Sequence, residues 1–308
     1  MAQDCANAAV GFRVMHFRGK ATAVWYPASA KPAEHAYSPT FSGMLAVDAP
    51  AATCGGRLPL VVFSHGYLGC GIQSVFFTEE LARHGYVVAA PDHADAFLCH
   101  IVPPSTPMAR PPELDILKPE TWTDAKFDDR RKDIAAVIDG LLADAGFRAV
   151  IDPRRIGAAG HSLGGYTVVG MAGGWPAWLD ARIRAVLALS PYVMPFHVKQ
   201  TLGRVAVPLM YQGGTLDAGI TPFLAGPRGA FSAANPPVYF VELQRAGHFA
   251  WANCGNEHTT ASCLDNVANA RLIDRYAIAF FDRHLRDRAQ PALAKKDPAL
   301  ADYRFRLN

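Results

Sequence analysis

One serine in the sequence has neighbours that suit a nucleophile. Ser162 is the third residue of the pentapeptide G-H-S-L-G at residues 160–164, which fits the pattern G-x-S-x-G. Residues 155–159 are short and mostly apolar and predict a strand, and residues 165–172 predict a helix. Strand, sharp turn and helix form the setting of a nucleophile elbow, whose strained turn requires small neighbours. The alternative is a glycine-rich turn with an incidental serine, and the flanking elements favour the nucleophile.

An activated serine needs a base and a group that orients the base. Asp217 and His248 each follow a predicted strand downstream of Ser162. Serine, acid and histidine is the chain order used by sheets that carry a nucleophile elbow. His258 is the nearest rival base, but it lies further along in a polar loop. The sequence therefore predicts Ser162, Asp217 and His248 as the catalytic residues.

Two backbone amides are expected to form the oxyanion hole. One belongs to Leu163, the residue after the nucleophile. The other is expected from the loop H-G-Y-L-G at residues 65–69, which follows a buried apolar strand. The turn at Gly66 would leave the amide of Tyr67 pointing into the site. An ordinary strand-to-helix turn is the alternative for this loop.

Three aromatic side chains are expected to bind substrate. Tyr67, Phe249 and Trp251 lie in the loops that carry the oxyanion amide and the histidine, so we expect an apolar or aromatic pocket. Packing within these loops is the alternative.

A cluster of acids and histidines follows another predicted strand. Asp92, His93 and Asp95, with His100 nearby, have residue types that bind metals. We expect this cluster to rim the cleft and to hold no metal.

The order of strands and helices predicts an α/β fold with a mostly parallel, doubly wound sheet and helices on both faces. An opening hairpin, residues 10–17 and 21–26, adds antiparallel strands at one edge. The other predicted strands are 59–64, 86–90, 155–159, 184–190, 205–212 and 238–243, and the predicted helices are 72–84, 125–144, 165–172 and 264–287.

The rest of the chain is predicted to be irregular. Residues 28–57 are rich in Ala, Pro, Ser and Gly and predict a long surface loop. The proline-rich insertion near residues 97–123 is expected to form a lid or a surface excursion. No repeat or linker interrupts the pattern, so we expect a single domain over residues 1–308.

Composition narrows the possible partners. The chain has 308 residues, of which 50% are hydrophobic and 19% charged, and a formal net charge of +3. Its basic residues are dispersed, which argues against nucleic acid as a partner. No apolar stretch approaches the roughly 18 residues of a membrane span. We expect a monomer whose partner is its substrate, with neither a nucleic acid nor a membrane span.

Six cysteines bear on the cellular compartment. Their spacing fits no zinc pattern. We expect a secreted or periplasmic protein, its signal peptide absent from this sequence, with a cytosolic protein as the alternative. Cys254 and Cys263 enclose a short polar segment and are predicted to form a disulfide, with Cys70 and Cys99 as a second possible pair. Free thiols are the alternative for both pairs.

Over residues 10–287 these motifs resemble the α/β-hydrolase superfamily, in particular platelet-activating-factor acetylhydrolases and dienelactone-hydrolase-like proteins. Dienelactone hydrolases use a cysteine nucleophile, and Ser162 here indicates simple ester hydrolysis. The segment H-F-A-W-A-N at residues 248–253 is also similar to the histidine loop of bacterial cutinases and polyester hydrolases. Those enzymes usually carry methionine at the position of Leu163.

The resemblance implies a serine carboxylic ester hydrolase that works through an acyl-enzyme and needs no cofactor. We expect short to medium acyl chains or aromatic esters as substrates, and polyesters as an extension of that class. A lipase or an acyltransferase of the same fold is the alternative within enzymes, as are peptide hydrolysis and perhydrolysis. Outside enzymes, the alternative is a non-catalytic binding module, which commonly lacks a member of the triad.

Overall fold

The computed structural model describes residues 8–53, 55–97, 114–255 and 257–308. Within them eleven strands form one sheet. The strands are β1 (Ala9–Phe17), β2 (Lys20–Ala28), β3 (Ala33–Ser38), β4 (Phe41–Val47), β5 (Leu58–Ser64), β6 (Val87–Pro91), β7 (Ile151–His161), β8 (Ile183–Leu189), β9 (Leu209–Gly214), β10 (Val238–Leu243) and β11 (Leu300–Arg306).

The strand order places a parallel block at the centre of the sheet. The order is β11-β10-β9-β8-β7-β5-β6-β2-β1-β4-β3. The strands from β10 to β6 in this order run parallel, while β11 and β2 flank them in the antiparallel direction. The carboxyl ends of the parallel strands therefore meet at one edge, where ligands of open α/β sheets bind.

Helices cover both faces of the sheet. Alternate residues of β5 belong to different hydrophobic clusters: Leu60 and Val62 pack with one set of helices, Val61 and Phe63 with the other. This confirms the doubly wound α/β prediction, because a strand buried on both faces reads as a continuous apolar run. The helices are α1 (Val75–Arg83), α2 (Asp128–Ala143), α3 (Leu163–Val169), α4 (Met194–Val198), α5 (Thr221–Ala225), α6 (Ala230–Ala233), α7 (Thr260–Asn266) and α8 (Ala270–Arg286).

The prediction of a long loop over residues 28–57 is wrong in its central part. That segment contains β3 and β4, and β4 pairs in parallel with β1. Buried Phe41, Gly43 and Leu45 alternate with the partly exposed Ser42 and the exposed Met44. This alternation predicts a strand, but the surrounding small residues and prolines mask it.

Two further differences lie near the end of the chain. The helix predicted over residues 264–287 is divided into α7 and α8, because Val267 adopts an extended conformation between them. The sequence reading also missed β11, which pairs antiparallel with β10. Its alternation of aromatic and basic residues, from Tyr303 to Arg306, is too short to predict a strand by itself.

The proline-rich insertion lies largely in residues 98–113, outside the described residues, and whether it forms a lid stays a prediction. Of its remainder, residues 114–123 contain a single turn of 3₁₀-helix at Pro119–Thr121. None of the helices in the described part of the chain is long and apolar enough to cross a membrane.

Candidate active site

The turn between β7 and α3 holds Ser162 in a conformation that few residues adopt. Its backbone angles are φ 54° and ψ −114°. A methyl group on Gly160 would lie 2.3 Å from the carbonyl oxygen of Gly164, and one on Gly164 would lie 1.8 Å from that of Ser64. Glycine is therefore required at both positions. The turn is sharp enough to lift the serine side chain above the carboxyl edge of the sheet.

Ser162, His248 and Asp217 lie within hydrogen-bonding distance of one another and are called here the Ser162 triad. His248 Nε2 is 2.9 Å from Ser162 Oγ, and His248 Nδ1 is 3.2 Å from Asp217 Oδ2. The histidine follows β10 and the acid follows β9, as the sequence predicts. Asp217 is buried, whereas the His248 side chain is 28% exposed. The rival base His258 instead hydrogen-bonds the carbonyl of Thr40 at the surface.

Ser190 is a polar neighbour of this triad that the sequence reading missed. It follows β8, is fully buried, and donates a short hydrogen bond to Asp217 Oδ2. Its hydroxyl oxygen is also 2.9 Å from His248 Nδ1. A positive φ of 42° at Ser190 turns the chain sharply at the strand end. The sequence signal that could have identified Ser190 is its position directly after β8, which lies between the strand before the nucleophile and the strand before the acid.

The loop after β5 passes directly beside the nucleophile. A methyl group on Gly66 would lie 3.5 Å from Ser162 Cβ. The Gly66 carbonyl accepts hydrogen bonds from His65 Nδ1 at 2.7 Å and from the amide of Gly69 at 3.0 Å. Since C=O and N–H point in opposite directions in a trans peptide, the N–H of Tyr67 points away from these donors.

Leu163 contributes the second predicted amide. It is the first residue of α3, and the first amides of a helix have no acceptor within the helix. Its side chain is buried, so only its backbone is available to a ligand. The geometry is compatible with the predicted amide pair, whose role in an oxyanion hole stays a prediction.

His161, the residue before the nucleophile, links the histidine loop to the loop after β5. Its Nε2 donates to the carbonyl of His248 at 2.8 Å, and its Nδ1 accepts from Gln73 Nε2 at 2.9 Å. The Gln73 side-chain oxygen in turn accepts from the amide of Gly66 at 2.9 Å. Burial, with a smaller effect from His248, lowers the pKa of His161 to about 3, so the ring is neutral near pH 7.

The acidic cluster after β6 does not rim the cleft as expected. Asp92, His93 and Asp95 are buried. His93 Nε2 is 2.9 Å from Ser64 Oγ, and His93 Nδ1 is 3.0 Å from Asp133 Oδ2. We call these three residues, Ser64, His93 and Asp133, the Ser64 triad.

The expectation failed because helix α2 supplies partners that the local sequence does not show. Arg130 and Asp133 on α2 reach the cluster and hydrogen-bond Asp95 and His93 respectively. Burial, and then the charge of Arg130, hold the pKa of His93 well below its ordinary value. His100, the fourth member of the expected cluster, lies outside the described residues.

The predicted substrate-binding aromatics occupy different environments. Phe249 is 76% exposed beside the His248 ring, and Tyr67 is half-buried against Phe127. Trp251 is fully buried, and its indole N–H donates to Gln212 at 2.9 Å. The expectation that Trp251 faces the cleft is therefore wrong. The amphipathic indole packs beneath the loop, where its one donor has a buried acceptor.

A disulfide joins Cys254 to Cys263, as the sequence predicts. It connects the histidine loop to helix α7, whose Thr259 and Ser262 form a capping box. Cys70 is also disulfide-bonded, and Cys99, its predicted partner, lies outside the described residues.

Comparison with known proteins identifies the family of this chain. The family model described as the alpha/beta hydrolase family matches residues 61–307. This chain belongs to that family. The match includes every member of the Ser162 triad and both predicted oxyanion amides.

Relatives among characterised proteins are cutinases. The chain is 25% identical to Cutinase 2 of Thermobifida cellulosilytica over 227 residues, covering 72% of this chain and 67% of that protein. It is also 25% identical to Cutinase cut1 of Thermobifida fusca, covering 55% of that protein. The similarity to cutinases predicted from the sequence is confirmed, and these relatives support a carboxylic ester hydrolase. The narrower likeness to platelet-activating-factor acetylhydrolases stays a prediction.

A solved structure has the same fold. The ferulic acid esterase from Streptomyces cinnamoneus superimposes with a TM-score of 0.66 at 22% identity, over 99% of each chain.

Proposed function

We propose that this protein is a serine carboxylic ester hydrolase with Ser162 as nucleophile, His248 as base and Asp217 as the group that orients the base. The observation that carries the proposal is the position of the His248 ring, which is partly exposed beside the strained turn of Ser162 and lies between that serine and Asp217. Its two nitrogens lie 2.9 Å from Ser162 Oγ and 3.2 Å from Asp217 Oδ2. A single ring can then take the serine proton and be held in the required tautomer.

The proposed reaction has two steps. Ser162 Oγ attacks the ester carbonyl while its proton passes to His248 Nε2, and the same proton then leaves with the alcohol. The amides of Tyr67 and Leu163 stabilise the oxyanion, each worth about 3–4 kcal/mol in typical cases. In the second step His248 takes a proton from water as the water oxygen attacks the acyl-enzyme. The bond between the acyl carbon and Ser162 Oγ then breaks, His248 returns the proton to Oγ, and the acid is released. None of these steps requires a metal or an organic cofactor.

We propose as substrates esters with short to medium acyl chains, aromatic esters and polyesters. The exposed ring of Phe249 supports this substrate class. It stands edge-on to His248, with ring centroids 5.4 Å apart, and so borders the place where an acyl or alcohol group would lie. The names of the cutinase relatives agree with this class. The disulfide supports a secreted or periplasmic location, and we propose that the chain is a single domain and a monomer.

A fluorophosphonate probe followed by peptide mapping tests the proposed nucleophile. We expect a single phosphonylated residue, Ser162, and no labelling of Ser162→Ala. A folded protein that remains unlabelled would identify a non-catalytic binding module instead.

Hydrolysis of p-nitrophenyl esters of increasing chain length tests the substrate class. An open aromatic rim predicts a maximum at roughly four to eight acyl carbons. Phe249→Ala should lower kcat/KM for aromatic esters, whereas Phe305→Ala, an exposed aromatic paired to the start of β10, should not. A maximum at long chains with a rate increase above the micelle threshold would indicate a lipase.

A further inference from the structure

A completely buried arginine directs its guanidinium at the loop that carries the predicted oxyanion amide. Arg130 lies in the first turn of α2 and has no exposed surface. Its Nη1 donates to the carbonyl of His65 at 2.7 Å, and its Nη2 donates to that of Gly66 at 3.1 Å. A buried cation needs such partners, and here they are consecutive carbonyls of one loop.

The charge of this arginine is balanced by an equally buried carboxylate. Arg130 makes a two-pronged contact with Asp95, through Nε at 3.1 Å and Nη2 at 2.7 Å. Asp95 Oδ2 also accepts from the amide of Leu68 at 3.1 Å. The ion pair therefore binds the two carbonyls that precede Tyr67 and the amide that follows it.

We propose that Arg130 and Asp95 are positioning residues of the oxyanion hole, which fix the Gly66–Tyr67 peptide so that the Tyr67 N–H faces Ser162. The inference rests on the proposed function. This peptide is trans, so its carbonyl and its N–H point in opposite directions. Arg130, His65 and Gly69 all donate to the Gly66 carbonyl, so the N–H of Tyr67 points away from these donors. Gly66 borders the nucleophile, since a methyl group on it would lie 3.5 Å from Ser162 Cβ.

The reversed peptide would be doubly unfavourable. Turning it by half a rotation would remove one of the two acceptors of Arg130 Nη2, leaving it only Asp95, and the acceptor of His65 Nδ1, both in a buried region. It would also direct the Gly66 carbonyl oxygen toward the position of the oxyanion, where it would repel negative charge. The ion pair thus favours the active orientation before any substrate binds.

A matched control lies elsewhere in the molecule. Arg286 at the end of α8 donates to two consecutive carbonyls, those of His84 and Gly85, at 2.8 and 2.6 Å. It also pairs with Asp282 at 2.8 Å, and its side chain is 9% exposed. Arg286 thus also holds two consecutive carbonyls and a carboxylate, the latter through Nη1. Its loop precedes β6 and lies at the opposite end of the strands from Ser162.

Lysine at each position tests the proposal, because its single ammonium cannot hold a carboxylate and two carbonyls in the fork geometry of arginine. For Arg130→Lys we expect kcat on p-nitrophenyl butyrate to fall about 10- to 100-fold, somewhat less than loss of an oxyanion donor itself. KM should stay within about twofold, since the interaction is made in the transition state. The rate of inactivation by a p-nitrophenyl phosphonate should fall in parallel with kcat.

The control separates positioning from general stability. Arg286→Lys should lower the melting temperature as Arg130→Lys does, but leave kcat, KM and the phosphonylation rate within about twofold. If Arg130→Lys does not fold, Asp95→Asn, which retains the side-chain volume, replaces it in the test. For Asp95→Asn we expect a smaller fall in kcat than for Arg130→Lys. Folded variants with parental kcat and phosphonylation rate would overturn the inference alone. Absence of phosphonylation at Ser162 in the parent would overturn the proposed function and the inference with it.

Discussion

The Ser162 triad and the Ser64 triad have almost the same internal distances. The serine oxygen lies 2.9 Å from histidine Nε2 in both, and histidine Nδ1 lies 3.2 Å from the acid in the first and 3.0 Å in the second. Both serines lie at or just beyond the carboxyl end of a parallel strand. Hydrogen-bond distances therefore do not distinguish a nucleophile from a packed serine.

The surroundings of the two triads differ. Ser162 sits in a strained turn with partly exposed His248 beside it, whereas Ser64 ends a regular strand and His93 has no exposed side-chain surface. Burial holds the pKa of His93 well below its ordinary value, so its ring is a weak base for a serine proton. Access, the strained turn and adjacent amides are what favour Ser162, and the Ser64 triad instead fills the interior beneath the loop after β5.

Replacing each serine by alanine should give the largest contrast. Ser162→Ala should lower kcat by about 10⁴-fold or more while the protein stays folded, because alanine fits the turn. Ser64→Ala should leave kcat within about fivefold but cost about 1–2 kcal/mol of unfolding free energy, since His93 loses its partner. Steady-state kinetics and urea unfolding on both variants measure the two effects. Comparable losses of activity in the two variants would contradict the distinction.

The acid of the Ser162 triad is the next test. Asp217→Asn should lower kcat by about 10²–10⁴-fold, because the amide no longer holds the His248 ring in the tautomer that accepts from Ser162. The loss should be smaller than for Ser162→Ala, as Ser190 still contacts the ring. His248→Ala should match the serine variant. An Asp217→Asn enzyme with parental kcat would exclude this acid as the orienting group.

Much of this site was predictable from sequence, because it depends on local rules. The elbow at Ser162 has a fixed spacing and a fixed chain order of partners, and the structure brings Asp217 and His248 to it. The Ser64 triad was not predictable, since its acid comes from helix α2, far from Ser64 in sequence. Its position depends on how that helix packs on the sheet.

The same reason explains the errors in the fold and in the substrate-binding residues. Strands β3 and β4 lie among small residues and prolines that mask their alternation, β4 pairs with β1, and β3 pairs with β4. The sequence position of Trp251, close to His248, predicts a side chain that faces the cleft. Its buried acceptor, Gln212, follows from tertiary packing and is not visible in the sequence.

The acid of the Ser64 triad, Asp133, should make the free energy of unfolding depend on pH. Burial, partly offset by Arg18, raises the pKa of Asp133 to about 6. A raised folded-state pKa contributes stability below the unfolded value near 3.9 that is lost as pH rises through about 6. Relative to Asp133→Asn, the parent should therefore lose about 2 kcal/mol of unfolding free energy between pH 4 and pH 7.

Urea unfolding across that pH range measures the difference. Ser64→Ala retains the Asp133 carboxyl, so its difference from the parent should change little over the same range. A parent and Asp133→Asn pair whose difference is constant with pH would show that this carboxyl does not titrate there.

The smallest expected effect concerns Ser190, a fourth residue that contacts both the acid and the histidine of the Ser162 triad. Its hydroxyl donates to Asp217 Oδ2 and lies 2.9 Å from His248 Nδ1, so it braces the acid and the ring together. Ser190→Ala should lower kcat about 3- to 10-fold with KM nearly unchanged, the size of one hydrogen bond of about 1 kcal/mol. Ser190→Thr keeps the hydroxyl and should restore part of the loss if the added methyl is accommodated.

In the double variant with Asp217→Asn, removing the Ser190 hydroxyl should lower kcat by a smaller factor than it does alone, because the effects of interacting residues are not additive. Equal costs in the two backgrounds would mean that Ser190 acts independently of the acid, and the brace would then be only a packing contact.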